Sequence, residues 1–220
     1  MWYPLFSPAE KKEFTLTHVG ATADTSDLTA YTFSDHAIGD ADSSRLVLVG
    51  ILSNGGGALV SGVTVGGISG SLVVQNVADN SENVATIFQT AVPTGTTADI
   101  VVTHASSGQN GLVISVWSLV NANTTADDTA DAGLGNPLSS NLDVPAGGGA
   151  VGVAMNQNAV SWSWVGLTDL GDHGPIDSGT MKVTSASKSF DDAQSALAIT
   201  ATANASTSRQ TMVLASWGPL

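Results

Sequence analysis

Cysteine is absent from the 220 residues. That excludes disulfides, thiolate nucleophiles and zinc-thiolate sites, so durability has to come from packing or from association with other chains. Basic residues are scarce as well: six Lys and Arg stand against 19 Asp and Glu, for a formal net charge of −13 and a pI near 4.2. A chain this acidic repels phosphate backbones and anionic lipid, so neither nucleic acid nor a membrane surface is an expected partner. No window reaches the length of a membrane span. The first residues, Met1-Trp2-Tyr3-Pro4-Leu5-Phe6-Ser7-Pro8, lack the basic region and long apolar run of a secretory signal, and the expectation is assembly in the cytoplasm.

Helical periodicity is missing too. No stretch of a dozen residues repeats its apolar positions every 3.6 residues, and helix should be minimal. What is present is 42% hydrophobic residues, rich in Val and Ala, with abundant Thr and 24 glycines; this excludes intrinsic disorder and favours β-structure. Apolar residues alternate in short segments separated by Gly, Asn, Asp and Ser clusters. The segments are 14–19, 31–38, 45–52, 60–65, 68–74, 84–92, 99–104, 112–120, 141–144, 150–155, 160–165, 180–184, 196–202 and 210–217. The pattern predicts an all-β protein, an antiparallel β-sandwich of jelly-roll-like form with an extended N-terminal arm over 1–13. Strand 45–52 is apolar on both faces, which marks a central strand covered on two sides. In 150–155 the larger residues Val151, Val153 and Met155 share one face, while Ala150, Gly152 and Ala154 leave the other open to a close neighbour.

A weak repeat links the halves. Asp99–Leu119 and Ala198–Gly218 each read as a hairpin whose second strand ends at a tryptophan, Trp117 or Trp217. The polar stretch 122–140 separates them as a connector without apolar period. A single domain over 14–220 is favoured, since the second half offers few strands; the alternative is two sandwich halves, 14–121 and 140–220, joined by that linker.

Few constellations suggest chemistry. Ile176-Asp177-Ser178-Gly179-Thr180 matches the loop of an aspartic protease, but that mechanism needs two such aspartates and only one loop is present, so a turn is the simpler reading. His18, His36, His104 and His173 show no metal-binding spacing and no Gly-x-Ser-x-Gly elbow accompanies them. Among the loop carboxylates, Asp169 and Asp172 in Asp169-Leu170-Gly171-Asp172 are the best candidates for a structural calcium ion, against the alternative of solvated loop charge. Trp162 and Trp164 alternate along one strand and share a face; they are either core or an aromatic platform for sugar rings, and burial is the simpler account. The glycine clusters at 55–57, 66–67 and 147–149 read as turns, because none sits between a strand and a helix.

Three segments resemble a known group. Tyr31-Thr32-Phe33-Ser34-Asp35-His36-Ala37-Ile38-Gly39-Asp40-Ala41-Asp42-Ser43-Ser44-Arg45, Val63-Thr64-Val65-Gly66-Gly67 and Ala91-Val92-Pro93-Thr94-Gly95-Thr96-Thr97-Ala98-Asp99-Ile100-Val101-Val102 resemble the small β-rich structural proteins of tailed bacteriophages and prophages. The resemblance supplies no catalytic residues. It implies a non-enzymatic virion protein assembled in the host cytoplasm and placed on the outer surface, because packaged DNA would repel a chain of this charge. The expected role is a capsid decoration or cement protein that binds the major capsid protein, or another virion protein, through Trp2, Tyr3, Leu5 and Phe6. A homo-oligomer is expected, with a trimer suited to local symmetry axes. The alternative is a tail or head-fibre component that holds host carbohydrate through Trp162 and Trp164.

Overall fold

The computed structural model describes residues 12–56, 58–78, 82–106, 109–133, 135–158, 161–176, 181–205 and 209–220. Among them there is no helix, and the architecture is an all-β one of seventeen strands in four antiparallel sheets. In the first half the strands are β1 (Thr15–Asp24), β2 (Ala30–Ala37), β3 (Leu46–Asn54), β4 (Val60–Val65), β5 (Ile68–Ser69), β6 (Ser71–Val77), β7 (Asn83–Ala91), β8 (Thr97–His104) and β9 (Leu112–Val120). The second half contributes β10 (Asp128–Ala132), β11 (Leu138–Val144), β12 (Gly149–Asn156), β13 (Trp162–Val165), β14 (Thr168–Ile176), β15 (Met181–Ser189), β16 (Gln194–Ala203) and β17 (Gln210–Trp217).

Pairing within each half is nested, as when one long hairpin is rolled up. First pairs with last, β1 with β9, then β2 with β8, β3 with β7 and β4 with β5. The second half repeats this with β10–β17, β11–β16 and β12–β15. The inner sheets therefore match position by position, β1-β9-β3-β7-β6 against β10-β17-β12-β15-β14, and the outer sheets β2-β8-β4-β5 and β11-β16-β13 match over three strands, β5 being extra. The two hairpins that echo each other in sequence, β8–β9 and β16–β17, occupy equivalent places.

The inner sheets pack face to face, β3 over β12 at the centre, β1 over β14 and β15 on one flank, β6 over β10 and β17 on the other. Three cores result. Leu46, Leu48, Leu52, Trp117, Val151, Val153 and Trp217 lie in the central one, between the halves. Val47, Val49, Ile51, Ile100 and Val102 fill the first roll, and Leu142, Ala150, Trp164, Ile199 and Leu214 the second. Period two explains why β3 is buried along its whole length: alternate side chains serve two cores, and the second cover is the chain's own other half. The inner sheets approach closely at Gly50, where a Cβ would come within 2.7 Å of Val153 Cγ1.

Four expectations are corrected. The second half has as many as eight strands. The segment 122–140 is not all connector: β10 and the start of β11 run through it, unannounced because β10 turns only the small Ala130 and Ala132 towards a core. The stretch 168–176 is strand β14, an edge strand whose Gly171, Gly174 and Pro175 coincide with register shifts and hide the alternation. The segment read as one strand over 68–74 is broken at Gly70, where the chain passes from the outer sheet to the inner. A Cβ there would stand 2.6 Å from Thr90 Oγ1.

Candidate functional site

Trp2, Tyr3, Leu5 and Phe6 lie outside the described residues, as does Asp177 of the protease-like string. The chain is fixed where that segment joins the fold. The Glu13 carbonyl accepts a 2.8 Å bond from Asn121 Nδ2, and Phe14 and Leu16 pack on the central core. They crowd the backbone of Gly149, where a Cβ would meet Leu16 Cδ2 at 2.9 Å and Phe14 Cε1 at 3.0 Å. Beside this point Lys12, Glu13, Phe14, Gly147, Asp191 and Pro219 line an open groove of about 290 Å³.

Trp162 and Trp164 are core residues, 8% and 9% exposed. Trp162 Nε1 donates to the Lys182 carbonyl at 3.0 Å, and Trp164 Nε1 to Thr184 Oγ1 at 2.9 Å. Both belong to the buried cluster of the second roll with Ala154 and Leu214, so neither offers its ring as a platform to solvent. Ser161, Ser163, Thr202 and Asn204 rim the groove of about 220 Å³ that borders Trp162.

Asp169 and Asp172 belong to edge strand β14 rather than to a loop. Asp169 Oδ1 accepts from the Gly171 amide at 2.8 Å. Burial first, and then the neighbouring Asp169 charge, raise the Asp172 carboxyl above the usual range. Among the described residues, no three His, Asp or Glu side chains gather where a metal ion could sit. None of the described Asp or Glu residues is buried, so the negative charge sits around the cores.

Sequence spacing gives no hint of the polar cluster that joins the halves. His18 on β1 and His173 on β14 stack with ring centroids 6.1 Å apart. His18 Nε2 is 3.0 Å from Ser115 Oγ, and Ser115 Oγ donates to Ser185 Oγ at 3.0 Å. His173 Nε2 completes the chain, 2.7 Å from Ser185 Oγ. Trp117 tilts over His18 at 5.4 Å. Burial, followed by His173 and then His36, pushes His18 down to about 4. Burial also lowers His173, with Asp169 opposing. The His–Ser distances are those of a base and a nucleophile, yet Ser115 is 1% exposed and Ser185 is fully buried. Each hydroxyl is committed to its partner, so the arrangement fastens one sheet to the other.

A second built feature is Arg45, buried at 1% exposure at the rim of the first roll. Its guanidinium bonds five carbonyls, those of Val92, Gly39, Asp40, Gly95 and Thr94, tying two loops to β3. Glu82 and Arg209 form an ion pair between the halves, and nearby Asn83 Nδ2 donates to the Arg209 carbonyl at 2.8 Å. No protein-family model matches this chain, and no curated protein matches it.

Proposed function

We propose that this chain is a non-enzymatic structural module, a decoration or cement protein on the outer surface of a tailed-phage head. In this reading each half is a jelly roll, and the pair is a stiff block that carries the aromatic N-terminal segment to a partner. The observation that carries the reading is the anchoring at Glu13 and Phe14. It tethers Trp2, Tyr3, Leu5 and Phe6 to the double roll by a short length of chain, with a reach of at most about 40 Å when extended. Burying these four side chains against the major capsid protein, or against a sister subunit in a trimer, would supply the apolar contact. The surface carboxylates keep such a block soluble and direct it away from packaged DNA.

The test is deletion of residues 1–8, with occupancy on purified heads as the readout. Loss of occupancy with an unchanged unfolding midpoint supports the reading. Full occupancy of the truncated chain removes the segment from the mechanism, and failure of the intact chain to bind heads removes the role.

A further inference from the structure

In the first roll, five buried side-chain atoms have no well-aligned hydrogen-bond partner among the described residues: Ser53 Oγ, both ring nitrogens of His104, and the amide oxygen and nitrogen of Gln109. The Thr29 carbonyl is the one backbone acceptor that bears on the His104 ring. Ser53 and Gln109 are fully buried and His104 is 2% exposed. They belong to one end of the roll. Ser53 pairs with Leu112 at the start of β9, His104 pairs with Val60 at the start of β4, and Gln109 lies in the loop that joins β8 to β9.

Side-chain alternation aims them inward. Ser53 continues the row Val47, Val49, Ile51, and His104 continues Ile100, Val102, rows that face each other across the core of the first roll. Tyr31 connects the remaining corner: its ring meets His104 edge-on at 5.8 Å, and its hydroxyl is 3.5 Å from the Gln109 carbonyl.

Folded proteins rarely leave a buried polar atom unmatched, and five together in one place is more than isolated misfits would give. The inventory is balanced. The amide and hydroxyl each donate and accept, and a neutral imidazole offers one donor and one acceptor. Ser53 and Gln109 carry no charge and burial disfavours the charged form of the His104 ring, with the Thr29 carbonyl opposing, so an ion would be uncompensated there. We propose that Ser53, His104 and Gln109 line an internal site for a small neutral molecule that both donates and accepts hydrogen bonds, water being the smallest of that class. The site is independent of the role proposed for the N-terminal segment.

Two experiments on the full chain test it. In the intact protein, water-selective nuclear Overhauser spectra at the Gln109 amide and His104 ring protons should show long-lived water, or native mass spectrometry should show a retained small molecule. The first result identifies the occupant as water and the second as another member of the class; a dry, empty site overturns the proposal. The variants S53A, H104F and Q109L are then compared with the triple substitution. A shared occupant couples residues that do not bond one another, so the three single losses should together exceed the triple loss by about tenfold in the unfolding constant. Additive losses overturn the shared site.

Discussion

The indole of Trp164 lies against the bare backbone of Gly152, so near that a Cβ on the glycine would stand 3.0 Å from Trp164 Cη2 and 2.7 Å from Leu214 Cδ2. The small face of β12 exists to admit this ring. Gly152→Val should therefore destabilise the protein by about 1–3 kcal/mol through overpacking, measured as a lower urea midpoint with unchanged slope.

Trp164→Ala should cost about 3–5 kcal/mol, as expected for emptying a buried aromatic site. Calorimetry on this variant separates two roles of the ring. A stable protein that has lost only affinity for a sugar would return the tryptophans to a binding surface.

Acid should loosen the join between the halves. Burial sets His18 and His173 below their ordinary value near 6.5, so on acidification the unfolded chain takes up protons first. Their contribution is complete above about pH 6.5 and declines as the pH falls, for His18 until about pH 4, where the folded chain protonates too. His36 adds to the repulsion at His18, while Asp169 faces His173 and opposes it. His104, also lowered by burial, contributes in the same direction elsewhere. Urea midpoints at pH 7, 6 and 5 should fall steadily in the native protein and less steeply in His18→Gln. Equal slopes in both would count against the cluster as the acid-sensitive element.

Ser115→Ala and Ser185→Ala should not be additive, because each hydroxyl bonds the other as well as a histidine. A double-mutant cycle by chemical denaturation should return a coupling of about 0.5–3 kcal/mol. A value of zero would mean that the two hydroxyls act independently and that their mutual bond does not help to fasten the sheets.

Arg45→Lys keeps the charge but loses the planar fork that reaches five carbonyls. A loss of about 2 kcal/mol or more is expected, read from thermal unfolding. Wild-type stability in this variant would show that the loops around Gly39 and Gly95 hold themselves.

Most strands were legible because their alternation is carried by large residues, as in residues 46–52 and 112–119, both buried throughout. Where alternation rests on alanine, as in β10, or is broken by glycine and proline, as in β14, the sequence signal falls below that of a loop. The repeat was visible only in β8–β9 and β16–β17, since elsewhere the halves share pairing order rather than residues. The His18–Ser115–Ser185–His173 chain could not be read in advance. Its bonded neighbours are separated by as many as 97 positions and meet only once two sheets are stacked.

Two separate copies meeting through a two-fold face must make every contact twice, residue i on j and j on i. Here the matched faces belong to one polypeptide, joined through the short passage from Val120 to Asp128. Each is presented to the other at a local concentration that dilution cannot lower. Tethering also frees the two flanks from obeying the symmetry. One has become a run of histidine and serine between β1 and β14–β15, while the other is closed by Asn76 Nδ2 donating to Asp131 at 3.0 Å between β6 and β10. A symmetric pair of chains would be held to a single chemistry at both margins; this chain holds two, one that titrates in mild acid and one that does not depend on imidazole.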